Sequence, residues 1–461
     1  WTATLAYSDA ATPPSIAPRA GLRIGVRNQF GRELKFSYDA LGRMVELLPP
    51  GAVSGLGAGS AASPIRYAYD EAAGLGPGVA AQGQLTSITW QDGAVRRYHY
   101  EQAELWYMAN EPQLLTGITD EAGVRFATFT YGTTGYVTAG PPLLVRSEHA
   151  GGADRVDFSY SVYAGLPRTR VTEYSSGSAR ESLYTFEDSA NTRRPIAVSA
   201  PCPLCGNTQQ SSSYNAAGDP IKQIAHDGSV TFFAYDAKAR ETERATYPSS
   251  YATATTRPAL SNAAKVVSTQ WHATFNLPTK LAEPNKTTAW TYNAKGMVTG
   301  ESWTATTDAT GADQFNAVKT GSTYATGWGY SASSLVTSIV TRETPAGATT
   351  ATETGRWTLG YNVAGDVSRV TDAGVTPNAI ASINAFSAGG QPSTGRLPDG
   401  RMFSYGYGAD SKVSSLQLSD GYRVDYSYNA RRQLTEARAT DGGLLQITIG
   451  SDGTPNKYTA N

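Results

Sequence analysis

The side chains that could carry chemistry are few and widely separated along the chain. Four histidines are present, and their spacing fits neither a metal site nor a Ser-His-Asp triad: His99, His149, His226 and His272. The Asp residues recur at turns, where capping explains them without catalysis. The Gly-rich segment 55–59 lacks the Lys-Ser/Thr ending of a phosphate-binding loop. The sequence therefore predicts a protein that is not an enzyme and needs no cofactor.

Both cysteines lie in one short segment, PCPLCGN, as Cys202 and Cys205. A Cys-x-x-Cys pair supplies half of a zinc site, and the chain has no further cysteine for the other half. We predict a local disulfide between Cys202 and Cys205 in oxidising surroundings. Free thiols and a bound metal are the alternatives that the pattern leaves open.

The composition narrows the class of protein. The 461 residues carry 38 basic and 39 acidic side chains, so the sequence shows no electrostatic footprint for nucleic acid. Charged residues make up only 17%, while Gly (47) and Tyr (27) are abundant, which is typical of strands and turns. No apolar run approaches the ~18 residues of a membrane span. We expect neither nucleic-acid binding nor membrane insertion.

A short unit recurs along the chain. Three Asp-Gly pairs stand 21 residues apart, at Asp399-Gly400, Asp420-Gly421 and Asp441-Gly442. Eight residues after the Asp comes a Tyr, as at Tyr407 and Tyr428, and the same spacing joins Asp92-Gly93 to Tyr100 and Asp227-Gly228 to Tyr235. Weaker copies keep the Tyr without the Asp-Gly pair: Tyr38, Tyr69, Tyr131, Tyr214, Tyr292 and Tyr361. Repetition at this length predicts one repeat architecture rather than several unrelated domains.

Each unit has the pattern of a β-hairpin. In 421–428 aromatic and β-branched residues alternate with polar ones, which predicts a strand with one apolar face. The Asp-Gly pair would supply the positive φ angles of a tight hairpin turn, and the Asp or Asn after the Tyr would cap a second turn. The following strand carries apolar residues three apart, a spacing that we attribute to a β-bulge: Leu85/Ile88, Leu115/Ile118, Ile221/Ile224, Val367/Val370 and Val413/Leu416.

The predicted fold class is therefore all-β, with tandem antiparallel β-hairpins of about 21 residues in a continuous spiralling sheet or shell. One domain would cover residues 1–461, with irregular insertion loops near 51–64, 248–265 and 344–355. About thirty strands at most, ~4.8 Å apart, would give a strip roughly 140 Å long and one or two turns of a wide spiral. Because the chain begins at Trp1 without a signal peptide, we expect it to be a fragment or mature part of a longer precursor.

The unit FSYDALGRMVEL, with its echoes FAYDAKARETE and YSYNARRQLTE, resembles the YD repeat, also called the RHS repeat. That family includes bacterial Rhs and wall-associated proteins, the C components of Tc toxins, and teneurins, and the resemblance extends over about residues 20–461. It implies a sheet of hairpins that spirals around a hollow, which often encloses a toxic or processed C-terminal domain. The closing segment of cargo-bearing members has no counterpart before Asn461, so we expect neither self-cleavage nor toxicity from these residues.

Two functions follow from these patterns. We favour a non-enzymatic structural or interaction protein, secreted or at the cell surface, whose open sheet edges join copies into a homo-oligomer, fibre or tube. The edges would be the start WTATLAYSD, which is strand-like and uncharged over residues 1–7, and a strand at 445–449 with a free side. The alternative is a segment of an RHS-type shell that encapsulates a toxin or other cargo. Protein or carbohydrate ligands on the sheet surface, where exposed Tyr and Trp would stack on sugars, are a further hypothesis.

Overall fold

The computed structural model describes residues 3–50, 63–69, 83–100, 113–132, 142–175, 178–189, 192–201, 209–373, 378–387, 390–408, 411–449 and 455–460. These residues form 34 β-strands and four short 3-10 turns, with no α-helix among them. The prediction of an all-β fold of tandem antiparallel hairpins is confirmed. The estimate of about thirty strands was too low, because strands also form between the recognised units and beyond the last one.

The strands follow one another along the chain at short intervals. The first half comprises β1 (Ala3–Tyr7), β2 (Arg23–Asn28), β3 (Glu33–Tyr38), β4 (Met44–Leu48), β5 (Ile65–Tyr69), β6 (Leu85–Thr89), β7 (Val95–His99), β8 (Gly117–Thr119), β9 (Arg125–Gly132), β10 (Leu143–His149), β11 (Val156–Tyr163), β12 (Leu166–Ser175), β13 (Ser178–Ser189), β14 (Thr192–Val198), β15 (Gln209–Tyr214), β16 (Pro220–Ala225) and β17 (Val230–Tyr235). The second half comprises β18 (Glu241–Tyr247), β19 (Lys265–Trp271), β20 (Pro278–Glu283), β21 (Lys286–Tyr292), β22 (Val298–Thr306), β23 (Lys319–Tyr330), β24 (Val336–Thr344), β25 (Thr352–Tyr361), β26 (Val367–Asp372), β27 (Asn378–Phe386), β28 (Pro392–Arg396), β29 (Met402–Tyr407), β30 (Val413–Leu418), β31 (Arg423–Tyr428), β32 (Leu434–Ala439), β33 (Leu444–Ile449) and β34 (Pro455–Ala460). The 3-10 turns are Ala150–Gly152, Ser249–Tyr251, Leu260–Asn262 and Gln314–Asn316.

All the strands belong to one sheet. Each pairs antiparallel with the next in the chain, from β1 with β2 to β33 with β34. In such a meander every pair of neighbouring strands is also consecutive in the chain. Within the described residues its outer edges are β1 and β34.

The C-terminal edge differs from the sequence-based expectation. The prediction that 445–449 offers a free side is wrong, because β33 pairs with β32 on one side and with β34 on the other. The sequence of β34, PNKYTA, includes Pro455 and Lys457 and does not alternate apolar with polar residues. For this reason the sequence did not predict a strand there. Pro and Lys are residues that blunt an edge strand against further pairing.

The two faces of the sheet differ in chemistry. One face, called here the aromatic face, holds the Tyr at the end of many odd-numbered strands and a large side chain two residues before it: Phe36, Tyr67, Phe233, Trp290, Trp328, Tyr405 and Tyr426. The opposite face is small and polar beside them, as at Ser37, Gly329, Gly406 and Ser427. Most residues on both faces are half-buried, because neighbouring strands cover them but over most of the sheet no second layer of described residues does.

β-Bulges set which residues share a face. At Tyr428 the pairing jumps from Ser427 with Glu436 to Tyr428 with Leu434, so Thr435 is an extra residue. Bulges of this kind lie between the members of Leu85/Ile88, Val367/Val370 and Val413/Leu416, which confirms the predicted cause of that spacing. The explanation is wrong for two pairs: Ile221 is itself the extra residue of its bulge, and Leu115 precedes its strand.

The best-buried part of the molecule lies under two segments that we call the arms, 248–264 and 307–318. Val230, Tyr247 and Val266 are fully buried there, and Leu260 and Ala312 of the arms pack against them. Of the other insertions expected from sequence, residues 51–62 lie outside the described residues, and 345–351 is a short connection between β24 and β25.

Gly311 fixes the second arm against the sheet, and this predicts the effect of adding one methyl group. A Cβ at Gly311 would lie 2.2 Å from the carbonyl oxygen of Val266, and its φ of +82° is itself unfavourable for other residues. Gly311→Ala should therefore lower the free energy of unfolding by well over ~1 kcal/mol in urea denaturation. Gly321→Ala is the matched control, since Gly321 has a φ of +74° with nothing within 4 Å of its Cβ position. Equal losses in the two variants would contradict the close approach of the arm.

Candidate functional site: the tyrosine units and the seam

A tyrosine closes many of the hairpin units in the same way. The Tyr407 hydroxyl donates to the carbonyl oxygen of Pro392 at 2.5 Å, and that of Tyr428 to Val413 at 2.9 Å. In each case the acceptor is the first residue of the preceding strand. The same bond joins Tyr38 to Arg23, Tyr69 to Met44, Tyr235 to Pro220, Tyr292 to Pro278, Tyr330 to Val298 and Tyr361 to Val336. The bond ties the end of the tyrosine strand to the start of the preceding strand, beyond the last pair of their ladder.

Burial also governs the ionisation of these phenols. Desolvation raises the pKa of Tyr235, Tyr292 and Tyr407 above the ordinary value of a phenol. A phenol that stays protonated keeps its O–H as a donor. These hydroxyls are therefore structural donors at neutral pH rather than candidates for acid–base catalysis.

The turn that follows the tyrosine is held by an Asp or Asn side chain. Asp236 Oδ1 accepts hydrogen bonds from the backbone amides of Lys238 and Arg240 at 2.8 and 3.0 Å. Asp39, Asn293 and Asn362 accept the same two amides in their own turns. In the Asp236 turn the guanidinium of Arg240 also bonds the carboxylate, which lowers the pKa of Asp236 to about 2.

The Asp-Gly turns use a different geometry from the one expected. Only the glycine takes a positive φ, which is +86° at Gly93, +85° at Gly228, +92° at Gly400 and +94° at Gly421. The preceding residue, Asp92, Asp227, Asp399 or Asp420, has a negative φ and bonds the amide two residues on. The expectation that the pair supplies positive φ angles together is wrong, because the loop has three residues and only its last is a left-handed bulge position.

Turns from distant parts of the chain meet along a line that we call the seam. Arg32 forms an ion pair with Asp366, and Gln29 Nε2 donates to the carbonyl oxygen of Ser333 at 2.9 Å. Further along, Arg431 Nε lies 2.5 Å from Asp120 Oδ2, with 12% and 4% of the two side chains exposed. The partners in these three contacts are 334, 304 and 311 residues apart.

A second contact supports the seam beside Arg431. Arg432 lies 5.0 Å from the ring centre of Trp90 and 3.5 Å from the carboxylate of Asp92. Asp92 belongs to one of the predicted Asp-Gly turns, so a residue of the repeat motif takes part in a contact between distant units. A guanidinium over an indole ring adds a cation–π attraction to the charge pairing.

The seam shows how the sheet is curved. Strands pair only with their chain neighbours, so turns more than 300 residues apart can meet only if the sheet curls through a full circle. The turn between β2 and β3 meets the one between β25 and β26, and the turn between β8 and β9 meets the one between β31 and β32. One circuit therefore takes about 23 strands. The described sheet is a spiral of more than one circuit, as the strip length predicted.

The residues proposed for chemistry have local roles or lie outside the described residues. Cys202 and Cys205 fall within 202–208, which the structure does not describe, so their disulfide stays a prediction. His99 contacts Thr119, and His149 contacts Asp154. His272 accepts from two amides of its own turn, and His226 precedes the Asp227 turn. Among the described residues no three His, Asp, Glu or Cys side chains are grouped as a metal site, and no helix there could span a membrane.

Sequence reasoning missed Trp271 and the seam residues. The Trp271 indole donates to the carbonyl oxygen of Glu241 at 2.8 Å and takes the place of the tyrosine in its unit. Its position at the end of a strand, just before a turn, was the signal that could have identified it. The charged partners across the seam had no such signal, because nothing local relates Arg431 to Asp120.

Comparisons with known proteins show the fold. No protein-family model and no curated protein matches the chain. The crystal structure of TcdB2-TccC3-TEV is similar over 97% of this chain and 22% of that one, with a TM-score of 0.55 at 14% identity. A Photorhabdus luminescens Tc holotoxin pore with a mutated TccC3 is similar over 100% of this chain and 26% of that one, with a TM-score of 0.53 at 12% identity.

A third structure, TcdB2-TccC3 without its hypervariable C-terminal region, covers 93% of this chain and 21% of that one, with a TM-score of 0.51 at 14% identity. The chain thus spans about a quarter of the length of the chains it matches. These likenesses show a shared spiral β-fold with Tc toxin components. The YD-repeat resemblance in the sequence names the same group of proteins.

The tyrosine bond predicts a small, specific loss of stability. Tyr407→Phe removes one buried hydroxyl donor and leaves the Pro392 carbonyl without it, which should cost about 1 kcal/mol of unfolding free energy. Tyr163→Phe is the control, since Tyr163 is 64% exposed. Urea denaturation should separate the two variants. Equal urea midpoints in the two variants would mean that the hydroxyl bond makes no net contribution to the free energy of unfolding.

The raised tyrosine pKa values predict loss of stability in alkali. In the unfolded chain the phenols ionise near pH ~10, whereas the folded ones stay protonated longer. Their contribution is therefore complete below about pH 10 and is lost as the pH rises through the folded pKa. Unfolding free energy measured from pH 9 upward should fall steeply, with a shallower slope in Tyr407→Phe than in Tyr163→Phe. If the unfolding free energies of the two variants fell equally with pH, the raised pKa of Tyr407 would not contribute to the loss of stability in alkali.

The seam predicts that the buried Arg431 contributes more to stability than an exposed arginine does. Arg431→Ala leaves the buried Asp120 carboxylate without its partner and should cost ~3 kcal/mol or more. Arg423→Ala is the control, because the Arg423–Asp425 pair is 41% and 54% exposed and should contribute less than ~1 kcal/mol. Thermal and urea unfolding would compare them. A loss at Arg431 no larger than at Arg423 would show that the seam does not hold the spiral.

Proposed function

We propose that the chain is a segment of the wall of a hollow shell that encloses a polypeptide cargo. The observation that carries the proposal is the seam, at which Arg431 and Asp120 join successive circuits of one sheet. A sheet that curls through more than a full circle surrounds a space. Contacts between its successive circuits close the gap through which a cargo would otherwise escape.

The repeat units suit a wall better than a catalyst. Their tyrosine hydroxyls and Asp or Asn side chains are engaged in holding hairpins and turns, as at Tyr407 and Asp236. In this proposal the wall is not an enzyme, and any activity belongs to the cargo. The likeness to Tc toxin components supports this function and an extracellular location.

Assembly into a fibre or tube through open edges stays a prediction and is the second candidate. β1 offers an uncharged edge in which Leu5 and Tyr7 are 42% and 51% exposed. The opposite edge, β34, carries Pro455 and Lys457, which oppose the addition of another strand. Because a fibre needs both edges to pair, the shell is the better-supported function.

Small-angle X-ray scattering together with mass photometry tests the proposal. The shell predicts a particle with the 48.8 kDa mass of one chain and the distance distribution of a hollow object. The double variant Arg32→Ala/Arg431→Ala should keep that mass and reach a larger maximum dimension, because the circuits separate. Arg423→Ala serves as the control and should scatter like the parent chain. Concentration-dependent fibres, or a solid compact particle, would overturn the shell.

A further inference from the structure

A groove lies between the sheet and the two arms, away from the seam. Strands β17 to β20 form its floor, while Arg257 of the first arm and Gln314 and Phe315 of the second form its walls. Its volume is about 640 Å³, within the range of roughly 300–1,000 Å³ that small-molecule sites occupy. The arms are fixed to the sheet, since the Val266 amide donates to the Thr310 carbonyl at 2.7 Å. The groove is therefore a preformed feature of the fold.

Two buried polar atoms of the groove have no hydrogen-bond partner among the described residues. Ser268 is 2% exposed, and its hydroxyl is one of these two atoms. Glu243 is 9% exposed, and its Oε2 accepts from Gln314 Nε2 at 2.7 Å. Its Oε1 lies 3.0 Å from Arg257 Nε but is not aligned for a hydrogen bond. Buried polar atoms left unpaired are costly, so these two atoms call for a partner that enters the groove.

The charges that line the groove cancel one another. Asp236 pairs with Arg240 at 2.6 Å, and Glu243 pairs with Arg257 at 3.0 Å. An anionic or cationic ligand would have to compete with these pairs, whereas a neutral ligand would leave them in place. A ligand hydroxyl can satisfy both open atoms, because it donates its one proton to Glu243 Oε1 while its oxygen accepts from Ser268 Oγ, and the two residues are cross-strand partners.

The groove also offers apolar surface. Trp271 and Phe315 line it and are both half-buried, and the Arg240 guanidinium lies 5.5 Å from the centre of the Trp271 ring. Aromatic rings beside carboxylate, amide and hydroxyl groups suit a ligand with both C–H faces and hydroxyl edges. We propose that this groove binds a neutral saccharide of one or two rings, with hydroxyls bonded to Glu243 and Ser268. The proposal does not rest on the shell function, since no seam residue lines the groove.

Saturation-transfer-difference NMR on the whole chain tests the site with named probes. The neutral probes are glucose, N-acetylglucosamine, lactose and cellobiose, and the anionic probes are glucuronate and inorganic phosphate, each at up to about 10 mM. At least one neutral saccharide should bind saturably and quench tryptophan fluorescence. Ser268→Ala should weaken that binding about fivefold or more, since it removes one hydrogen bond to the ligand.

Two further variants make the result specific. Phe315→Ala on the arm should also weaken binding, and it serves as a second test if Ser268→Ala fails to fold. Ser182→Ala is the matched control, because Ser182 is equally buried and its hydroxyl bonds Pro201 in another part of the sheet. Unchanged affinity in Ser182→Ala together with losses in the other two supports the site. The proposal is overturned by no saturable saccharide binding, by full affinity in Ser268→Ala and Phe315→Ala, or by tighter binding of the anions.

Discussion

Over most of its length no second layer of described residues buries the side chains of this sheet. The hydrogen bond from a tyrosine hydroxyl to the preceding strand stabilises the units where such packing is missing. The bond from Tyr428 to Val413 ties the end of β31 to the start of β30, beyond the last pair of their ladder, while a bulge at Tyr428 interrupts the ladder with β32 on the other side. An Asp or Asn then holds the turn that follows. Each unit is thus fixed largely by its own residues, which explains why the chain repeats the same few side chains instead of building one central core.

Local units alone would give an open strip, and the seam joins successive circuits of that strip into a closed spiral. Contacts such as Arg32 with Asp366 join units that share no strand pairing. Their partners are largely withdrawn from solvent at Asp120 and Arg431, so removing one side leaves a buried charge. The spiral therefore depends on a few contacts between circuits, while each circuit depends on many similar contacts within units. Loss of the seam would alter the shape of the particle before it altered the secondary structure.

The sequence was a good guide wherever the determining interactions are local. The Asp420-Gly421 turn and the strand that ends at Tyr428 lie where period and turn chemistry place them, because both depend on residues within one unit. The pairing of Arg431 with Asp120 could not be predicted, since it depends on the number of strands in one circuit. The groove could not be predicted from the sequence either. The arms that form it have no repeat pattern, and only the packed structure brings Gln314 to Glu243.

The distance across the seam tests the closed spiral most directly. With Cys202 and Cys205 replaced by Ser, nitroxide labels at Ala122→Cys and Ala430→Cys would sit on exposed positions of the two turns that the Asp120–Arg431 pair joins. Double electron–electron resonance should then give a narrow distribution at short distance, although about 23 strands separate the labels along the sheet. An uncoiled strip would place the two labels roughly 110 Å apart, outside the range of the measurement. A distribution without a short-distance component would contradict the closed spiral, and a narrow short peak would support it.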